Sequence, residues 1–151
     1  VCTHALKLEH GGQSYHWISS RMLEALISAV KDCRSSGDAF LLAAMGRCAT
    51  TIEGAKLLSY QSAYSAADGL SGGVPGEMAK LYSSDALVRS SSDLLDAWGR
   101  DGLASAAGAR ADYGELERAF LLAPGTTTYG GTVEVMRSLL AERHLRLPRS
   151  R

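Results

Sequence analysis

A chain of 151 residues with 46% hydrophobic and 21% charged residues is long enough for one domain with its own core, held without metals or disulfides. Sixteen basic residues balance sixteen acidic ones, which argues against a general nucleic-acid surface, since that needs a clustered basic excess; Arg143, Arg146, Arg149 and Arg151 read as a solvated tail. Cys2, Cys33 and Cys48 form no CxxC and no even framework, so the expected setting is reducing and cytoplasmic, and no apolar run reaches the ~20 residues of a membrane span.

The first element is a helix from Tyr15 onward, with Ile18, Met22, Ala25, Leu26, Ala29 and Val30 on one stripe at helical spacing. Ser35-Ser36-Gly37-Asp38 breaks it, and Asp38 is placed to cap the next helix. There Leu41, Met45, Cys48, Ile52 and Ala55 form a second stripe, continuing past Leu58 toward Asp68. The stretch Gly69 to Gly76 holds four glycines and a proline in eight residues, a strong breaker. A third helix follows, with Met78, Leu81, Tyr82, Leu94, Leu95 and Trp98 expected to face inward, and Gly99-Arg-Asp-Gly102 ends it. Leu103 to Tyr113 is rich in Ala and Gly and is ambiguous. A short helical segment from Leu116 to Leu122 runs to Pro124-Gly125, and a last helix carries Val135, Met136, Leu139 and Leu140 on one face. The expected fold is all-α, an up-and-down helical bundle over residues 1–151 with a shorter C-terminal helix.

Read from residues alone, the sites are modest. Gly130-Gly131-Thr132 precedes the last helix. Free N–H groups at a helix N-terminus suit phosphates, and glycines allow close approach of a ligand. Spacing by itself favours a plain glycine turn with a Thr N-cap. Glu9-His10-Gly11-Gly12 sets a carboxylate beside an imidazole, an acid/base candidate set against a solvated pair near the start of the chain. The six-residue steps between His4, His10 and His16 do not fit a helical zinc pair. Glu142-Arg143 and Glu115, Glu117 and Arg118 read as solvated faces, and Trp17 and Trp98 as core or interface anchors.

The tail carries more than its spacing. RAFLLAPGTTTYGGTVEVMRSLLAERHLRLPR, Arg118 to Arg149, resembles the closing signature of the flavin-dependent acyl-CoA dehydrogenases. In that family a Phe-Leu segment leads into Tyr-Gly-Gly-Thr, or Tyr-Glu-Gly-Thr in one branch, followed by Glu-Ile-Gln-Arg and Ala-Glu-Arg…Leu-Gly-Leu-Pro. The matching residues here are Tyr129 to Thr132, Glu134 to Arg137, Ala141 to Arg143 and Leu147-Pro148. Glu77-Met-Ala-Lys80 resembles the family's Ala-Lys helix start. Leu94-Leu95 with Gly99-Arg-Asp-Gly102-Leu103 resembles its Leu-Leu-Gly-x-Asp-Gly-Leu variant, and Ala5 to Gly12 its Leu-x-Glu-Arg-Gly helix. The resemblance spans nearly the whole chain but corresponds only to the family's C-terminal helical domain; the N-terminal helical and middle β domains have no counterpart in these residues, as in an excised or processed piece.

The resemblance implies FAD as cofactor, an acyl-CoA substrate dehydrogenated between its α and β carbons, an electron-transfer-flavoprotein-type acceptor, and a homo- or hetero-oligomer built through the bundle. Gly130 stands where one branch has its catalytic Glu, so the base implied is Glu9, on the first helix. Gly130, Gly131 and Thr132 match the turn against the flavin. Tyr129 matches a residue beside the acyl thioester, and His10 replaces an Arg next to the base. The Arg-x-Gln-Phe-Gly segment that many members use to hold FAD across a subunit interface has no match in Lys31 to Ala39. Two functions follow: part of a dehydrogenase, inactive as the isolated chain, or a non-catalytic bundle serving as an oligomerisation or partner-binding module.

Overall fold

Apolar residues three and four apart make each long segment one-faced, and four such segments close around a shared core. The computed structural model describes residues 14–32, 38–68, 74–99 and 111–148. Among them are α1 (His16–Asp32), α2 (Ala39–Ala67), α3 (Val74–Trp98), α4 (Ala111–Thr126) and α5 (Val133–Leu139), the last continued by a π-helical turn, Leu140–His144. The described residues contain no strand. The all-α bundle expected from the sequence is the fold observed.

Helices α1 to α4 pack in a ring, each against the helices before and after it, while α5 and its π turn rest on α3. Three contacts fix the directions. The Tyr15 N–H donates to Ser83 Oγ at 3.1 Å, Ser59 Oγ lies 3.4 Å from His16 Nδ1, and Ser84 Oγ donates to the Thr126 carbonyl at 3.1 Å. The start of α1, the last third of α2, the start of α3 and the end of α4 therefore share one end of the bundle, which is up-and-down connectivity. Asp38 caps α2 as expected, its Oδ1 accepting from Phe40 N at 2.9 Å and Leu41 N at 3.3 Å. Met22, Leu26, Leu41, Cys48, Ile52, Leu87, Leu94, Leu116 and Ala119 are buried in the core. Gly99 at φ 68 ends α3 in the left-handed region, a conformation that suits glycine at a helix C-terminus.

Three expectations need correction. The fourth bundle member is α4, which spans Ala111–Thr126 and passes through Pro124 rather than stopping before it. The proline sits in the last turn, and Phe120, the carbonyl its ring frees, is on the exposed face, where water can replace the lost bond. On α3, Leu94 is buried and Leu95 and Trp98 pack on the core, but Met78 and Tyr82 are exposed. The buried seam instead runs Glu77, Lys80, Ser84, Leu87, Ser91 and Leu94, alternating three- and four-residue steps. Its serines are satisfied by the preceding turn, Ser84 Oγ at 2.8 Å from the Lys80 carbonyl and Ser91 Oγ at 3.2 Å from that of Val88. On α5, Met136 is buried and Val135 faces out; seven residues are too few to hide a wide face.

Candidate functional site

The polar end of the bundle is built around the connection from α4 to α5. The Thr126 hydroxyl donates to Ala123 O at 2.6 Å and that of Thr127 to Pro124 O at 2.7 Å. The N–H groups of Thr128 and Tyr129 both reach Gly125 O at 3.0 Å, and Val133 N reaches Thr127 O at 3.0 Å. This reversal is possible because Gly130 (φ 63) and Gly131 (φ 102) take positive φ, where a Cβ would be strained. Thr132 is then the N-cap of α5, its Oγ1 accepting from Val135 N at 3.3 Å. The turn and N-cap reading of these residues therefore holds. Among the described residues the N–H groups of Gly130, Gly131 and Thr132 meet no acceptor, so the turn also presents open donors.

Tyr129 lies back over Gly125: a Cβ there would stand 2.6 Å from the Tyr129 hydroxyl and 2.7 Å from Cζ. The ring needs glycine as its seat. Burial pushes the Tyr15 phenol up, and the nearby Tyr129 adds to the rise.

Beneath the turn sits Lys80, fully buried, with its ammonium donating to the Gly131 carbonyl at 2.5 Å. Burial pulls its pKa below the usual lysine value, and Glu134 opposes that fall. The exposed Glu134 carboxyl is held below its usual range by its own backbone N–H and by Thr132, with Arg137 and Lys80 adding to the effect. One turn earlier on α3, the buried Glu77 pairs with Arg143 of the π turn, Nη1 to Oε1 at 3.2 Å. Arg143 is thus fastened to the bundle rather than simply solvated. Glu115 likewise binds Arg21 across α1 and α4 at 2.7 Å.

A separate, mostly apolar groove of about 430 Å³ opens on the outer face of α3, its lining including Leu58, Met78, Leu81, Tyr82, Leu140 and the polar Arg137 and His144. The residues of the turn do not line it. Among the described residues no cluster of His, Cys, Asp or Glu could hold a metal, and no helix is long and apolar enough to cross a membrane.

The structure thus gathers Tyr129, Gly130, Gly131 and Thr132 into one turn. Glu9 and His10 lie outside the described residues. The sequence reading named Glu77 and Lys80 only within a helix-start resemblance and not as site-forming groups; a further signal was their place on the three- and four-step stripe that continues into Leu87 and Leu94. Trp98 packs on the core as an anchor, whereas Trp17 is exposed.

A profile of the family described as "Acyl-CoA dehydrogenase, C-terminal domain" matches residues 10–145. Among solved structures, a variant of the Tcur3481-Tcur3483 steroid ACAD superposes with a TM-score of 0.84 at 21% identity, over 99% of this chain and 40% of that one. At that identity the likeness speaks to the fold alone, and this chain spans well under half of the other protein's length. No curated protein matches the chain.

Proposed function

The chain belongs to the family of acyl-CoA dehydrogenase C-terminal domains, and from that premise we propose that it forms the helical half of a site for FAD-dependent α,β-dehydrogenation of an acyl-CoA thioester. The observation that carries this reading is the Tyr129 to Thr132 turn. Two consecutive positive-φ glycines, open N–H donors and a Thr hydroxyl are gathered at one end of the bundle. That donor set fits a flavin nucleotide, which offers many acceptors and little positive charge. Gly130, Gly131 and Thr132 would hold it, chiefly through the backbone N–H groups, since the Thr132 oxygen accepts from Val135 and its hydroxyl bonds the Glu134 carboxylate.

Bound there, the flavin would supply the hydride acceptor for the β carbon. The chain's own part is the proton and the position. Glu9, as base, takes the α proton onto its carboxylate. The polypeptide enters α1 at this same end, since Tyr15 N bonds Ser83, three residues from Lys80. His10 next to Glu9 would bind the substrate and tune the base, a titratable neighbour where relatives carry a fixed charge. Tyr129, seated on Gly125, would pack beside the thioester and exclude water. The free, buried thiol of Cys48 suits the reducing cytoplasm proposed as its compartment, and an electron-transfer flavoprotein is the proposed acceptor.

The experiment uses the full-length protein that carries this chain. Glu9→Gln should abolish turnover, followed by bleaching of the flavin absorbance on adding acyl-CoA, while leaving FAD bound. Unchanged turnover removes Glu9 as base.

A second reading, a bundle that serves assembly, is supported by the apolar side chains left in solvent on the outer faces of α2 and α4, with Tyr64 72%, Leu121 70% and Leu57 64% exposed. Such patches mark interaction surfaces. Under that reading the protein stays colourless with and without partner subunits while still assembling by light scattering; a flavin-coloured complex decides for the enzyme.

A further inference from the structure

The carbonyl of the half-buried Gly131 points toward the buried part of the bundle end, where Lys80 and Ser84 are fully buried and Thr126 is 1% exposed. A carbonyl in such a place needs a donor. The hydroxyls nearby are already committed. Ser83 Oγ donates to Lys80 O, Ser84 Oγ to Lys80 O and Thr126 O, and Thr126 Oγ1 to Ala123 O. The Lys80 ammonium is the donor that remains, and it makes the bond. Burying an ammonium is costly for a bundle that could place an aliphatic side chain there, so stability of the helices is a poor account of this residue.

We propose that Lys80 is a positioning residue, a clamp that holds the Gly131 carbonyl against α3 and so fixes the Gly130-Gly131-Thr132 donors in the geometry that receives a nucleotide cofactor. The ligand assigned to the turn rests on the dehydrogenase reading above; the clamp itself rests on the contact between Lys80 and Gly131. The bond joins residues 51 apart in the chain, and it ties the turn to α3 directly rather than through α5. A lysine suits the task because its long stem lies along the apolar interior while three N–H groups converge on one end. Glu134, across the turn, provides the electrostatic counterweight.

The test is amide exchange of the full-length protein, read by mass spectrometry in the absence of FAD, joined to FAD titration. In Lys80→Met the peptide covering 127–133 should exchange roughly 10- to 100-fold faster, the range expected from losing a charge-assisted hydrogen bond. Peptides from the cores of α1 and α2 should keep their wild-type rates. Gly131→Ala, which strains the φ of 102, should loosen the same peptide, and the double variant should be no looser than the worse single one. The dissociation constant for FAD should rise tenfold or more in Lys80→Met, with part of the loss restored in Lys80→Arg, which keeps a cationic donor. An unchanged turn in Lys80→Met, or equal acceleration in every helix, overturns the clamp. Failure of the wild-type protein to bind FAD overturns the assigned ligand and the dehydrogenase reading, while the exchange data still decide the clamp.

Discussion

Removing Arg143 measures how the last segment is fastened to the bundle. Its Nη1 lies 3.2 Å from Glu77 Oε1, and the two side chains differ sharply in environment, 60% exposed for Arg143 against 4% for Glu77. The second carboxylate oxygen, Oε2, is buried with no hydrogen-bond partner among the described residues. Glu77 has therefore given up its water, and Arg143 is the cation that compensates. A charge-assisted hydrogen bond contributes ~1.5–3 kcal/mol, and solvent around the exposed guanidinium lowers this to about 1–2 kcal/mol. Arg143→Ala also leaves the carboxylate unpaired in a buried position, so its total cost should be about 2–3 kcal/mol. Glu77→Gln keeps the shape and removes the charge, at about 1 kcal/mol. Once Gln stands at that position, losing Arg143 strands no charge, and the double variant should cost about 1–2 kcal/mol, less than the sum of the singles. Urea unfolding of the four proteins, followed by far-UV circular dichroism with unchanged slopes, gives the coupling. Additive effects, or an Arg143→Ala cost within about 0.5 kcal/mol of zero, refute the claim that Glu77 depends on this partner.

Gly125→Ala places a Cβ 2.6 Å from the Tyr129 hydroxyl, and because that ring is exposed it can swing away. Stability should stay within about 1 kcal/mol of wild type, helped by the better helix former, whereas under the proposed dehydrogenase function KM for an acyl-CoA rises in the full-length protein with FAD still bound; a fall above about 2 kcal/mol would mean that the ring has nowhere to go. The buried Cys48 thiol is pushed above its ordinary value of 9.0, first by burial, against a lowering hydrogen bond from Ser90 and with a further rise from Asp93. The native state keeps this proton after the unfolded chain has released it, so the stabilisation is complete below pH 9.0 and is lost as pH rises through the folded pKa. The stability difference between wild type and Cys48→Ala should accordingly move toward the variant above pH 9.0, read from urea midpoints, and a difference that ignores pH refutes the assignment.

The legible parts of the fold were those in which one stripe carries one chemistry. In α1 and α2 the inward residues are aliphatic or small, from Ile18 through Val30 and from Leu41 through Ala55, and hydrophobic spacing finds them directly. Asp38 was legible because a cap is a local hydrogen bond between a side chain and the next turn. On α3 the same procedure chose Met78 and Tyr82, because it ranks a lysine and two serines as surface. The seam carries those residues inward because a hydroxyl can bond the carbonyl a turn behind it and then pack as a small group. Helix α4 was underestimated for a related reason: Gly114, Pro124 and Gly125 lower its local propensity, and burial of Leu116, Ala119 and Ala123 outweighs that loss.

The candidate site divides along the same line. The Gly130-Gly131 turn could be found in the sequence because positive φ is written in the residue type itself. The support beneath it could not, because Lys80 and Gly131 meet only through tertiary packing and neither residue signals the other. The two ends of α3 then differ for a physical reason. Toward its C-terminus Leu87 and Leu94 supply apolar burial and demand nothing in return. Toward its N-terminus Glu77, Lys80, Ser83 and Ser84 give up that burial to supply donors and acceptors that hold neighbouring segments, with Lys80 on the turn, Ser84 on the end of α4 and Glu77 on the π turn. A helix that needed only to stabilise a bundle would continue its leucines. Local departure from the best core sequence belongs where a protein positions something, and on α3 its charged members, Glu77 and Lys80, fall in the turns that touch Arg143 and Gly131.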